Sequence, residues 1–125
     1  MVVDTSALLA ILFNEPLSTW AAAHLQRGRA PWMSTINYAE ALIISGERFP
    51  DRLGAVQDAI ERSAIQLVTP TAEHAEIAAA ARLRFPLNLG DGFAYALAKE
   101  QKCPLLTLDR DFRRCDIHVV LPRMQ

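Results

Sequence analysis

The chain has 125 residues, of which 51% are hydrophobic and 22% charged, and its formal net charge is −1. That length suits one domain with a sizeable core, and the composition excludes a disordered chain or one whose whole surface is a basic field for nucleic acid. The two cysteines, Cys103 and Cys115, lack CxxC spacing, no apolar run approaches a membrane span, and the N-terminus carries no signal-peptide pattern; a reduced, cytoplasmic protein is expected.

Met1-Val2-Val3 reads as a short buried strand whose carboxyl end presents Asp4. Thr5 to Asn14 is densely apolar and predicts a buried helix, ended before Pro16 because a residue preceding proline is pushed out of helical geometry. Leu17 to Arg27 predicts a second helix with Gly28 as its stop. Pro31-Trp32-Met33 is a strand candidate, and Ser34 or Thr35 caps a helix to about Glu47. After Phe49-Pro50, Asp51 to Ser63 places Leu53, Val56, Ala59 and Ile60 at helical spacing. Ile65 to Val68 is a strand. Thr71 caps an alanine-rich helix that ends by Phe85, and Asn88 caps another to about Gln101. Leu105 to Leu108 is a strand ending in Asp109, and Ile117 to Val120 is the last. Apolar runs alternating with helices predict a parallel sheet covered on both faces, hence an α/β fold, as one domain over 1–125.

Four acids fall at element ends or on apolar faces: Asp4, Glu40, Asp91 and Asp109. Each has an ordinary structural use. Asp4 can cap the next helix, Glu40 can sit solvated on a helix edge, Asp91 can complement a helix dipole, and Asp109 can begin a turn. Their recurrence is what points to chemistry. In a parallel sheet Asp4 and Asp109 open on the same edge, and a reversal of winding between their strands puts them astride the crevice where ligands bind. Gly90 and Gly92 flank Asp91, weakening its helix and suiting close approach by a ligand. Carboxylates gathered in one pocket raise one another's pKa, a conflict that a hard divalent cation with oxygen ligands resolves. Such a site activates water and stabilises a phosphoryl oxygen, so metal-dependent phosphoester hydrolysis is the reading from the residues. Three histidines far apart, no glycine-rich phosphate loop and no nucleophile elbow leave the competing chemistries without support.

At this point the chain resembles the PIN-domain family, and within it the VapC-type toxins of toxin–antitoxin pairs. The resemblance runs over essentially the whole chain and rests on Val2-Val3-Asp4-Thr5-Ser6-Ala7-Leu8, Tyr38-Ala39-Glu40, Gly90-Asp91, and Leu106-Thr107-Leu108-Asp109-Arg110-Asp111-Phe112. It implies a three-layer α/β/α sandwich with strand order 3-2-1-4-5. It also implies an endoribonuclease dependent on Mg²⁺ or Mn²⁺, an RNA substrate, and a cognate antitoxin protein as partner; a homodimer and no membrane association are expected with it. Asp4, Glu40, Asp91 and Asp109 match the family's acidic, metal-binding set, and Thr5, Ser6 and Thr107 its polar support positions. Asp111 stands where some members carry a further acid. Gly92 departs from the family's usual alanine, which would loosen the start of that helix. Arg110, Arg113 and Arg114 are candidates for RNA contact; ordinary solvated charges are the alternative for each. Two other classes compete with this reading. A phospho-receiver domain needs an acceptor Asp ending its middle strand, and Val68-Thr69-Pro70 offers none. A catalytically silent PIN module acting as a binding protein is the stronger rival, opposed by the presence of all four acids. Leu12, Phe13, Trp20, Trp32, Tyr38 and Phe49 concentrate large side chains in the first 50 residues; core is the alternative for each and the expectation for Phe13, and the others are expected to leave an exposed apolar groove for the antitoxin.

Overall fold

Val2 and Val3 point to opposite faces of a pleated strand, and both are fully buried. That is possible only in the middle of a sheet covered on both sides, and the structure, a computed structural model describing residues 1–27 and 29–123, places them there. Strand β1 (Val2–Val3) pairs in parallel with β2 (Trp32–Ser34) on one side and β4 (Leu105–Leu106) on the other. β3 (Gln66–Val68) and β5 (Val119–Val120) complete a five-stranded sheet of order β3-β2-β1-β4-β5. The three-layer arrangement and strand order match the expectation.

The helices divide between the two faces as the pleat dictates. Val2 and Leu105 pack with Ala94, Leu97 and Ala98 of α6 (Leu89–Gln101) and Ala81 of α5 (Ala72–Arg84). Val3 and Leu106 pack with Leu8 and Leu9 of α1 (Thr5–Leu12), Met33, Ala41 of α3 (Thr35–Arg48), and Val56 and Ile60 of α4 (Leu53–Arg62). α2 (Ser18–Leu25), which follows α1 in the chain, packs on α1 and buries Ala21. Its expected stop, Gly28, lies outside the described residues; the helix ends at Leu25, with the Gln26 N–H donating to Ala22 O at 3.1 Å.

The helix starts are set by side-chain caps. Asp4 accepts from Ala7 N, Ser34 from Ile36 N, Thr71 from His74 N and Asn88 from Asp91 N. α1 closes earlier than predicted. Asn14 takes a left-handed φ of 50°, its N–H donates to Ile11 O, and the Glu15 N–H reaches back to Ala10 O at 2.9 Å. These paired bonds satisfy carbonyls the helix end would orphan, and Asn tolerates that conformation better than most residues. The helix expected over Asp51–Ser63 is instead a 3₁₀ turn, Pro50–Arg52, followed by α4, because Arg52 leaves helical geometry at φ −105°, ψ 1°.

Two expectations need correcting. Gly92 does not loosen α6. A Cβ there would stand 3.1 Å from the Ala78 carbonyl oxygen, so the missing side chain is what lets α5 and α6 close on each other. The large early side chains do not form an open patch either. Leu12, Phe13, Trp20 and Tyr38 pack against the Val3 face and Trp32 against the other, leaving Phe49, at 38% exposure, as the exposed one of the six. Both cysteines are free and half-buried, and among the described residues no helix is long and apolar enough to cross a membrane.

Candidate active site

The winding reverses at β1. The chain runs outward through β1, β2 and β3, then crosses back to β4 and β5, so the carboxyl ends of β1 and β4 flank a crevice. Asp4 is the first residue past β1. It is 3% exposed, and both of its oxygens are engaged: Oδ1 accepts from Ser6 Oγ at 2.8 Å and from Ala7 N at 3.0 Å, and Oδ2 from Thr107 Oγ1 at 2.5 Å. Burial pushes its carboxyl up to about 6; the bonds from Thr107, Ala7 and Ser6 pull the other way, and the charge of Asp109 adds a smaller push upward.

The same hydroxyls carry the network onward. Thr107 Oγ1 accepts from Asp109 N at 2.9 Å, and Ser6 Oγ accepts from Leu108 N at 3.0 Å. The two hydroxyls therefore tie the turn after β4 to the carboxylate after β1. This also explains why β4 stops at Leu106 rather than Leu108 as predicted. Thr107 N still bonds Val120 O at 3.2 Å, but beyond it the chain turns to face Asp4. Asp109 consequently does not end the strand. It caps the following 3₁₀ turn, Arg110–Arg114, with Oδ1 accepting from Asp111 N at 2.9 Å.

Glu40 arrives from α3. Its Oε1 accepts from Thr5 Oγ1 at 2.9 Å and Asn37 Nδ2 at 3.0 Å, and the same Asn37 amide donates to Gly90 O at 3.0 Å. Gly90 is buried, and a Cβ placed there would lie 2.1 Å from Glu40 Oε2. The glycine expected to admit a ligand is thus occupied by a carboxylate of the site itself. Asp91 forms the other half of the Asn88 cap, its Oδ2 accepting from Asn88 N at 3.1 Å. Burial pushes its carboxyl up to about 7; the Asn88 N–H opposes this, and Asp109, Asp4 and Glu40 each add to it.

Asp4, Glu40, Asp91 and Asp109 all line one cleft of about 420 Å³, with Thr5, Ser6 and Asn37 in its wall. The donor set is entirely oxygen. Glu40 Oε2, Asp91 Oδ1 and Asp109 Oδ2 accept no hydrogen bond from the described residues. Among those residues no three His, Cys, Asp or Glu converge tightly enough to cage an ion directly. Crowded carboxylates with free oxygens around open space fit a hard dication that keeps several of its waters; a closed, all-protein cage they do not form.

Asp111 is exposed and lies apart, in a second cleft with Pro86, Arg110, Arg113 and Arg114. Arg110 donates to Pro122 O at 3.3 Å. The three arginines therefore gather beside the acidic cleft rather than in its wall. Sequence reasoning passed over Asn37, Glu15 and Arg48, all of which line the acidic cleft. For Asn37 a signal existed, since it sits three residues before Glu40 and so shares its helix face.

Residues 1–117 match the PIN domain family. Ribonuclease VapC30 of Mycobacterium tuberculosis is 38% identical over 128 aligned positions, covering 96% of this chain and 98% of the relative. The solved structure of M. tuberculosis VapC20, described as a sarcin–ricin-loop cleaving toxin, superposes with a TM-score of 0.81 at 20% identity, covering 97% of this chain and 98% of that one. A chain in a toxin–antitoxin complex from Klebsiella pneumoniae gives a TM-score of 0.76 at 21% identity, covering 95% and 94%. The chain belongs to the PIN-domain family, in its VapC-type branch.

Proposed function

We propose that this protein is a metal-dependent endoribonuclease, the toxin of a toxin–antitoxin pair, which hydrolyses RNA phosphodiester bonds in the cleft lined by Asp4, Glu40, Asp91 and Asp109. The observation that carries the reading is the convergence of these four carboxylates on the switch-point crevice, with Thr5, Ser6, Asn37 and Thr107 tying together the four chain segments that bring them there. The 38% identity to a VapC ribonuclease supports the activity.

Asp4, Glu40, Asp91 and Asp109 would hold a hard dication, Mg²⁺ or Mn²⁺, which when bound lowers the pKa of water and offsets charge on the phosphoryl oxygens. The chain's own part is positional. Thr107 and Ser6 orient Asp4, Asn37 and Thr5 orient Glu40, and the Asn88 N–H fixes one oxygen of Asp91. Purified protein given a mixed RNA pool should produce discrete fragments with Mg²⁺ or Mn²⁺ and none with chelator. Intact RNA in both ions would overturn the proposal. A rise in melting temperature on adding Mg²⁺ reads metal binding separately from turnover.

Asp109 is expected to matter and Asp111 not, because Asp109 lines the acidic cleft and Asp111 does not. Asp109→Ala should lose cleavage by roughly two orders of magnitude or more, and Asp111→Ala should stay within a few-fold of the parent. The reverse ranking in one RNA assay would displace Asp109 from the site.

The family resemblance and the toxin–antitoxin complex among the structural neighbours support an antitoxin partner, and the homodimer is proposed on the family resemblance alone. A basic antitoxin side chain reaching the acids would neutralise them and compete with the dication. An Arg suits that role, since its planar donors match a carboxylate. Pull-down from the native host with and without chelator should recover the partner in both conditions, and recovery of the chain alone in both would count against it.

A further inference from the structure

α1 and α3 follow adjacent parallel strands, so both begin at the acidic edge of the sheet and run away from it side by side. Their far ends meet as well: the rings of Phe13 and Phe49 are 5.1 Å apart, and Arg48 Nη1 lies 3.7 Å from Glu15 Oε1. The acidic cleft is the trough between these helices. On α3 it is lined by Glu40, Ile44 and Arg48, and on the α1 side by Asp4, Leu9 and Glu15. Residues four apart share a helix face, so Glu40, Ile44 and Arg48 form one stripe, with Arg48 about 12 Å along the axis from Glu40. The trough thus has an anionic end, an apolar middle and a far end where Arg48 stands beside Glu15. Arg48 is the one basic residue in its wall among the described residues.

The Arg48–Glu15 pair is loose. Its 3.7 Å separation is beyond hydrogen-bonding distance, and the side chains are 55% and 41% exposed, so the pair holds Arg48 weakly. Both backbones are held, Arg48 within α3 and Glu15 by its N–H on Ala10 O, so what is loose is the side-chain pairing. Arg48 is therefore a poised cation, anchored at the mouth of an anionic trough and free to change partners.

We propose that Arg48 is a substrate-binding residue of the cleft that pairs with a non-scissile phosphate of the RNA backbone, one flanking the phosphate held at the acids, while Ile44 packs against the intervening nucleoside. The proposal rests on the ribonuclease reading above and extends it to how the strand lies. A guanidinium suits a phosphate as a planar fork of donors, and the spacing along α3 makes its target a neighbour of the reacting phosphate. Glu15 acts as a place-holder that Arg48 leaves when RNA enters.

The test uses a short labelled RNA in Mg²⁺, with cleavage rate and binding anisotropy measured over a range of salt concentrations. The wild-type protein, Arg48→Ala, Arg48→Lys and Glu15→Gln are compared. Arg48→Ala should raise KM about tenfold with kcat nearly unchanged. It should also flatten the slope of log affinity against log salt by about 0.7, the contribution of one phosphate on a single strand. Arg48→Lys should restore the slope, and Glu15→Gln should tighten binding. RNAs carrying a neutral methylphosphonate at each flanking position in turn should reveal one position that weakens wild-type binding and leaves Arg48→Ala indifferent. An unchanged salt slope in Arg48→Ala, or equal methylphosphonate sensitivity in both proteins, overturns the proposal. So does a fall in kcat without a change in KM. Failure of the wild-type protein to cleave any RNA would instead sink the ribonuclease reading, and the anisotropy arm would still decide the fate of Arg48.

Discussion

Replacing Asp4 by Asn is expected to reduce RNA cleavage by roughly three orders of magnitude, the loss of several kcal/mol of metal-borne stabilisation, while making the metal-free protein more stable. The second half follows from linkage. Burial raises the Asp4 carboxyl from 3.8 to about 6, so the folded chain holds a proton that the unfolded chain has released. Where the folded state binds more protons, stability falls as pH rises. The penalty is absent below about pH 4, grows between pH 4 and 6, and is full above, at a ceiling of about 3 kcal/mol. Asn removes the charge and retains a carbonyl for the Ser6 and Ala7 donors. At pH 7.5 without metal, Asp4→Asn should therefore melt several degrees higher than the parent. Its melting temperature should also fall less steeply between pH 4 and 7. A mutant that cleaves normally, or melts lower at pH 7.5 in chelator, would remove Asp4 from the crowded acidic set.

Gly90→Ala should also disable the site, though it adds a single methyl group to a helix. That methyl would occupy space 2.1 Å from Glu40 Oε2 and 2.4 Å from its Cδ. The backbone of α6 is packed on the sheet, so the flexible carboxylate is what moves. Moving it breaks its bonds from Thr5 and Asn37, and a displacement on the order of 1 Å in a positioned group can lower the rate about 100-fold. Stability should change little, since alanine gains about 1 kcal/mol of helix propensity over glycine and offsets part of the lost bonding. The two residues should be coupled. In a Glu40→Ala background, Gly90→Ala should cost no further activity and should raise the melting temperature. Wild-type cleavage by Gly90→Ala alone would mean that the placement of Glu40 is immaterial.

Much of the fold was legible because its signals are local. Val2-Val3 and Leu105-Leu106 are apolar runs flanked by helix caps, and Asp4, Ser34, Thr71 and Asn88 all stand where the caps form. The family's motifs supplied the strand order that periodicity cannot. What escaped was non-local. Strand β4 looked four residues long because Thr107 and Leu108 continue its apolar pattern, yet Thr107 turns toward an acid 103 residues away. Gly90 and Gly92 were read as room for a ligand, whereas one makes room for Glu40 and the other for Ala78. A core of this size need not absorb all the large side chains of the first 50 positions, yet helices packed on the Val3 face take up most of them. Arg48 carried no motif at all; its place in the cleft is visible only once α1 and α3 lie together.

The bond between Thr107 and Asp4 has a consequence for how the protein is made. The central strand is made long before one of its neighbours, since β1 pairs with β4 at Val2–Leu105 and Val3–Leu106. Contacts of such long sequence separation close late and slowly. Until Thr107 and Asp109 have been made and folded back onto β1, Asp4 has no Thr107 to orient it and no Asp109 beside it. A nascent chain, or one truncated before β4, therefore carries three of the four acids but not the assembled cleft. The four-acid cleft is thereby withheld from every copy in which β4 has not yet closed on β1.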